Sequence, residues 1–162
     1  MANTIIYPGT FDPFTLGHLD LTQRAAKMAD RVVVAVAQEV GSKRTLFTTD
    51  ERVAFAKEAC QGLNNVEVLG FSGLLTAFAK QQQGNIILRG IRSGADLDYE
   101  RPMAELNRKL TPGLDYIFLL PEPELSAVSS TLVREIARLG GETHTLVPNN
   151  VEQALRQRFG VS

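Results

Sequence analysis

Arg31-Val32-Val33-Val34-Ala35-Val36-Ala37 decides the fold. Six apolar residues follow one another with no polar alternation, so neither face of this segment can be turned to water. A strand with one solvated face alternates with period two, whereas a strand in a parallel sheet covered on both sides does not. Ile5-Ile6-Tyr7 and Ile117-Phe118-Leu119-Leu120 repeat the pattern. Working outward, the β-branched runs predict strands at residues 4–7, 31–37, 66–69, 85–88 and 116–120. Longer amphipathic stretches lie between them. Thr48 and Glu51 have capping-box spacing ahead of Ala54 to Cys60, and Ser72 precedes Leu74 to Lys80. Further helices are predicted over residues 95–110, ending at Thr111 and Pro112, over 131–139, ending at Gly140 and Gly141, and over 151–159, capped by Asn149 or Asn150. The alternation predicts an α/β, doubly wound fold around a five-stranded parallel sheet, as a single domain over residues 1–162.

The bulk numbers bound the function classes. The chain has 162 residues, 44% hydrophobic and 22% charged, with a net charge of −1, which suits one globular domain with a core of its own. Without a surplus of Lys and Arg, a protein that coats nucleic acid is not expected. One Cys and two His give neither an internal disulfide nor zinc-ligand spacing, so no metal site is expected and a reducing cytoplasm is. No apolar run approaches the roughly 18 residues of a spanning helix, so no membrane association is expected.

In open parallel sheets, ligands bind beyond the carboxyl ends of the strands. The segments that follow the predicted strands are therefore the candidates. After the first comes Pro8-Gly9-Thr10-Phe11-Asp12-Pro13, with Gly17-His18 opening a helix. After the second come Lys43 and Arg44, after the fourth Arg89-Gly90-Ile91-Arg92, and after the fifth Pro121 to Thr131. Gly9 would let the backbone approach a ligand. His18, at a helix N-terminus, is placed to donate to a phosphate oxygen. Arginines offer planar charged forks for phosphate, and Ser129-Ser130-Thr131 offers hydroxyls and free N–H groups at another helix start. Taken singly, these read first as a packed histidine, solvated arginines and an ordinary cap. Their joint placement on one sheet edge favours a phosphate site. The Gly-x-Gly-x-x-Gly, Walker and Gly-x-Ser-x-Gly patterns are absent.

Thr15-Leu16-Gly17-His18 resembles the (H/T)xGH signature of the nucleotidyltransferase superfamily, and Val128-Ser129-Ser130-Thr131-Leu132-Val133-Arg134 resembles its ISSTxxR partner. Tyr7 to Pro13, Leu46-Phe47-Thr48, Val66-Glu67-Val68 with Gly70-Phe71, and Leu88 to Arg92 together resemble the phosphopantetheine adenylyltransferases, over almost the whole chain. The resemblance implies a Rossmann-like nucleotidyltransferase fold, a homohexamer, and transfer of the adenylyl group of ATP, with Mg2+, to 4′-phosphopantetheine to give dephospho-CoA and pyrophosphate. It implies His18 as the stabiliser of the transition state, and Thr10, Lys43 and Arg89 on the acceptor phosphate. Arg92 with Ser129, Ser130 and Thr131 would hold the ATP phosphates. Phe11, Gly90, Ile91, Glu100 and the segment Leu125, Ser126, Ala127 and Val128 would surround the nucleotide, which Thr10 and His18 would also contact, and Leu75 would line the pantetheine arm. This chain departs from the family at Gly73, where Asp is common, and at Leu125 to Val128, where an aromatic-containing segment is common.

Two other functions share these features. One is a small adenylyl- or cytidylyltransferase with a mononucleotide or a phosphorylated alcohol as acceptor. The other is a non-catalytic module that senses ATP with the same phosphate cradle.

Overall fold

A computed structural model describes residues 2–38, 41–42 and 44–161; Lys43 lies outside the described residues. The elements run β1 (Thr4–Gly9), α1 (Leu16–Met28), β2 (Arg31–Ala37), α2 (Thr49–Ala59), β3 (Val66–Phe71), α3 (Leu75–Gln81), β4 (Ile86–Gly90), α4 (Gly94–Leu110), β5 (Asp115–Leu119), a 3-10 turn (Pro123–Leu125), α5 (Ser130–Arg138) and α6 (Asn149–Phe159). The five strands form one sheet in the order β3-β2-β1-β4-β5, with every pairing parallel. The chain first builds outward from β1 to β3, then returns to add β4 on the other side of β1. That reversal puts the topological switch point between β1 and β4.

The unalternating β2 is central, and its residues Val32 to Val36 are all fully buried. Alternate side chains feed two cores. Val32, Val34 and Val36 pack with Ile5, Tyr7 and Leu88 beneath Leu21, Ala25, Ala56 and Cys60 of the α1 and α2 side. Val33 and Ala35 pack with Ile6 and Ile87 beneath Phe78 and Ala79 of α3. Each fully buried valine contributes about 1.5–3 kcal/mol, so a polar residue on either face of β2 would be costly. A third cluster joins α5 and α6 through Val133, Ala137, Val151 and Leu155 and covers Phe47.

The caps explain where sequence and structure part. Thr48 and Glu51 form the expected reciprocal capping box. Ser72 does not cap α3, whose N-cap is Leu74 without a side-chain bond, and α6 is entered from Pro148, whose fixed φ suits a helix entry, rather than from Asn149 or Asn150. β1 runs two residues past its predicted end because its register with β2 continues to Gly9 opposite Val36. β3 likewise reaches Phe71, opposite Ala37. β4 starts one residue later than expected and ends at Gly90, and β5 covers Asp115 to Leu119. Among the described residues no helix is long and apolar enough to cross a membrane.

Candidate active site

β1 and β4 pair only at Ile5 with Ile86 and Ile6 with Ile87, although β1 stays paired to β2 through Gly9. The sheet therefore splits toward its carboxyl edge at the switch point. Pro8 has no N–H to offer a ladder, and its carbonyl accepts from Arg89 Nη1 at 3.1 Å instead. Into the split opens a cleft lined by Pro8 and Gly9 at the end of β1, Thr10 and Phe11 in the loop after it, Gly17 and His18 of α1, Arg89 and Gly90 at the end of β4, and Arg92 in the turn after it. Leu125, Val128, Ser129 and Ser130 close its far side.

His18 is fixed by its own helix. The N-cap Thr15 accepts the His18 N–H on Oγ1 at 3.2 Å, and the Thr15 N–H donates to His18 Nδ1 at 3.0 Å. This is the reciprocal capping box, with histidine where glutamate usually stands. An Nδ1 that accepts carries no proton, so the hydrogen bond assigns the neutral ring its proton on Nε2. The imidazole meets Phe11 edge-on, with ring centres 4.9 Å apart, and lies against Tyr7 and Phe14. Burial among these rings, and then the Arg92 charge, push its pKa down from 6.5 to about 4. At neutral pH His18 is thus an uncharged, preoriented Nε2–H donor rather than a proton-transfer acid.

The loop that presents Thr10 is tied from beneath. Asp12, buried, accepts the backbone N–H groups of Leu46 at 2.8 Å and Phe47 at 3.0 Å. Arg52, also buried, donates to the carbonyls of Thr10, Ala37 and Phe47 and to Thr49 Oγ1. Phe11 sits at φ +50°, a left-handed conformation that bulky side chains rarely adopt. The expected close approach at Gly9 is used within the chain: a Cβ there would lie 2.9 Å from the Phe11 ring.

The two arginines beside Gly90 differ. Arg89 makes a bidentate pair with Glu100, Nε at 3.0 Å and Nη2 at 2.7 Å, besides its bond to Pro8. The Arg92 backbone N–H donates to Asp96 Oδ2 at 2.7 Å, but its guanidinium comes only within 3.8 Å of that carboxylate and is half exposed. At the α5 start, Ser129 Oγ accepts the Leu132 N–H as N-cap, and the Ser130 hydroxyl donates to the Pro13 carbonyl at 2.8 Å. These hydroxyls hold the framework, which leaves the backbone N–H groups of Ser130 and Thr131 as the free donors of that helix end. Arg134 donates to the Asp12 carbonyl at 2.6 Å.

Of the residues singled out in the sequence, Thr10, Phe11, His18, Arg89, Gly90, Arg92, Leu125, Val128, Ser129 and Ser130 meet in the cleft. Ile91, Ser126, Ala127 and Thr131 adjoin in sequence without lining it, and Glu100 is committed to Arg89. Leu75 packs on the other face of the sheet, with the Phe78 and Ala79 cluster. Sequence reasoning passed over Arg52 and the carboxylate of Asp12. Arg52, Ala56 and Cys60 follow one another at helical spacing of four, and that stripe was the available signal for a buried Arg52.

The fold matches that of a structure from Vibrio parahaemolyticus described as a "putative nicotinate-nucleotide adenylyltransferase", with a TM-score of 0.69 and 17% sequence identity over 97% of this chain and 93% of that one. At that identity the likeness is one of fold. The family profile described as cytidylyltransferase-like matches residues 6–136, which include both motifs and every element lining the cleft. The chain therefore belongs to the cytidylyltransferase-like family, within the nucleotidyltransferase superfamily.

Proposed function

We propose that this chain transfers the adenylyl group of ATP to 4′-phosphopantetheine, forming dephospho-CoA and releasing pyrophosphate. The observation that carries the reading is the donor set of the cleft. Its lining offers the His18 imidazole, two arginines and a helix N-terminus, and among the described residues it includes no Asp or Glu. With His18 neutral and its Nδ1 occupied, no group is placed to deprotonate an alcohol. Such a site suits an acceptor that is already anionic, a phosphate, which attacks without a general base.

A phosphate oxygen of the acceptor forms a bond to the α-phosphorus of ATP while the bond from that phosphorus to the bridging α–β oxygen breaks. The electron pair leaves with pyrophosphate, and no proton need move. Thr10, Arg89 and Lys43 orient the attacking phosphate. The His18 Nε2–H meets the charge that builds on the α-phosphate. Arg92 and the first turn of α5, at Ser129, Ser130 and Thr131, take the charge on the leaving pyrophosphate. Phe11, Gly90, Ile91 and Leu125 to Val128 surround the nucleotide. Glu100 adjoins it through its pair with Arg89, and Leu75 serves the pantetheine arm.

Among the described residues no three His, Cys, Asp or Glu side chains cluster as metal ligands. A resident metal does not fit this donor set, and magnesium belongs to the reaction as part of the MgATP substrate. A homohexamer in the cytoplasm completes the reading. Self-association of this kind would use the exposed stripe Tyr99, Met103, Leu106 and Leu110 on α4, whose spacing of four, three and four suits a helix packing against another helix.

The adenylyltransferase with which the fold is shared is described as acting on a nicotinate nucleotide, which would also bring a phosphate. Rates of pyrophosphate release with 4′-phosphopantetheine, nicotinate mononucleotide and glycerol 3-phosphate separate the acceptors. The proposal expects phosphopantetheine to be preferred. No release with it would end the proposal.

A further inference from the structure

A charged side chain on the inner face of a helix has to be explained, because an apolar residue of similar size would pack there without the cost of stripping water from a guanidinium. Arg52 is 1% exposed, near the start of α2. Burial lowers its pKa and the nearby Asp12 carboxylate opposes that shift, but a guanidinium retains its charge at any pH the protein meets. Four of its bonds stay within the chain: Nη1 to the Thr10 carbonyl at 2.7 Å and to the Ala37 carbonyl at 2.9 Å, Nε to the Phe47 carbonyl at 3.1 Å, and Nη2 to Thr49 Oγ1 at 3.1 Å.

The positions of the first two carbonyls are informative. The parallel pairing of β1 with β2 ends at Gly9 opposite Val36. Thr10 and Ala37 are the next residues on the two strands, where the following rung would fall. One nitrogen of Arg52 takes both of their carbonyls, so the guanidinium holds the strand ends together one residue beyond the last rung. Its third carbonyl, Phe47, belongs to a segment whose N–H groups are fixed by Asp12. Thr10 is thereby held from two sides, by its own carbonyl and through Asp12 two residues along.

We propose that Arg52 is a positioning residue for the acceptor side of the cleft, acting through the carbonyl of Thr10. The inference rests on Thr10 as the residue that meets the acceptor phosphate. Arg52 is not in the cleft lining and touches neither substrate. Its effect should therefore fall first on acceptor use and less on the nucleotide side.

The test uses the full chain as Arg52→Met, which removes all four bonds with little change of bulk, and as Arg52→Lys, which keeps the charge but loses the fork. Melting temperature, ATP affinity by calorimetry, kcat and the acceptor KM for 4′-phosphopantetheine are measured well below the melting transition. Deuterium uptake of peptides covering residues 8–14 is followed alongside. The expected result for Arg52→Met is an acceptor KM raised about tenfold and kcat lowered about tenfold, as small misplacements of reacting groups produce, with ATP affinity within about threefold of the parent. Arg52→Lys should fall between the two, and uptake over residues 8–14 should quicken in both. A lower melting temperature with kcat and acceptor KM at parental values would overturn the proposal, as would an equal loss on the ATP side. If Arg52→Met does not fold, Arg52→Lys carries the same comparison. If the parent itself does not use phosphopantetheine, the proposed function fails separately. Uptake then decides for Arg52: faster exchange over residues 8–14 supports the positioning role, and unchanged exchange overturns it.

Discussion

The β1–β4 wall of the cleft and its rim, which is Arg92 in the turn after β4 together with the first turn of α5, carry similar donors held in different ways. On the wall, Arg89 is locked by Glu100 and the Pro8 carbonyl, and the Thr10 carbonyl is held by Arg52. On the rim, the Arg92 guanidinium has only a distant partner in Asp96, and the first N–H groups of α5 are left free by the Ser129 cap. His18 stands between the two, oriented by Thr15 but with Nε2–H unspent. The wall is already organised before a ligand arrives, while the rim must give up side-chain freedom to bind one. In the proposed reaction the rigid side receives the attacking phosphate, for which alignment matters most. The adjustable side receives the triphosphate, whose charge is redistributed as pyrophosphate leaves.

The largest expected effect comes from the residue between the two sides. His18→Ala should retain measurable ATP binding while kcat falls roughly 10²-fold or more, the scale of losing one transition-state donor; an unchanged kcat would take His18 out of the mechanism. On the rim, Arg92→Ala removes a free charge-assisted donor and should weaken ATP binding by roughly tenfold to a hundredfold, from about 1.5–3 kcal/mol, as calorimetry would read. On the wall, Glu100→Gln keeps the shape but loosens Arg89. The acceptor KM should rise by several-fold, on the order of 1 kcal/mol for a partly exposed pair, with ATP affinity little changed. A larger effect on ATP than on the acceptor would reverse the assignment of the two sides. Smallest is Ser129→Ala, which should lower stability by about 1 kcal/mol as N-caps do, read as a shift in the denaturation midpoint.

The His18 environment also fixes a pH dependence. Its pKa is depressed from 6.5 to about 4 in the folded chain, so between those values the unfolded chain binds the proton and the folded chain does not. The stability contributed by neutral His18 is complete above 6.5 and is lost as pH falls through that window toward 4. The ring is half-buried, and solvent screening will make the loss smaller than the full shift implies. Nitrogen NMR of the ligand-free chain should show a neutral Nε2–H tautomer at pH 6. A cationic ring at that pH would contradict the assignment.

How much of this was legible beforehand depends on whether the signal was local. The unbroken valines of β2 announce a doubly covered strand, and Thr48 with Glu51 announces α2, because hydrophobic period and capping act within a few residues. The donors that line the cleft were legible because strand ends and helix starts mark them. The split between β1 and β4 was not, since it depends on a register between strands some eighty residues apart. The pairing of Arg89 with Glu100, eleven residues on and in the next helix, could not be told from two solvated charges. Arg52 stands beside Asp50 and Glu51 in the first turns of α2, a run of charges that suits a solvated face; only its place in the stripe with Ala56 and Cys60 argues for burial. Leu75 was singled out by the resemblance alone; no local signal sets it apart from the other apolar residues that pack with Phe78 and Ala79.

The most direct measurement follows both substrates together by phosphorus NMR, with the chain added to MgATP and 4′-phosphopantetheine. The account predicts that the phosphomonoester resonance of the acceptor is replaced by the coupled pair of a diphosphate diester as pyrophosphate accumulates in equal amount. A phosphomonoester signal that persists unchanged, with ATP either intact or consumed without a new diester, would contradict it.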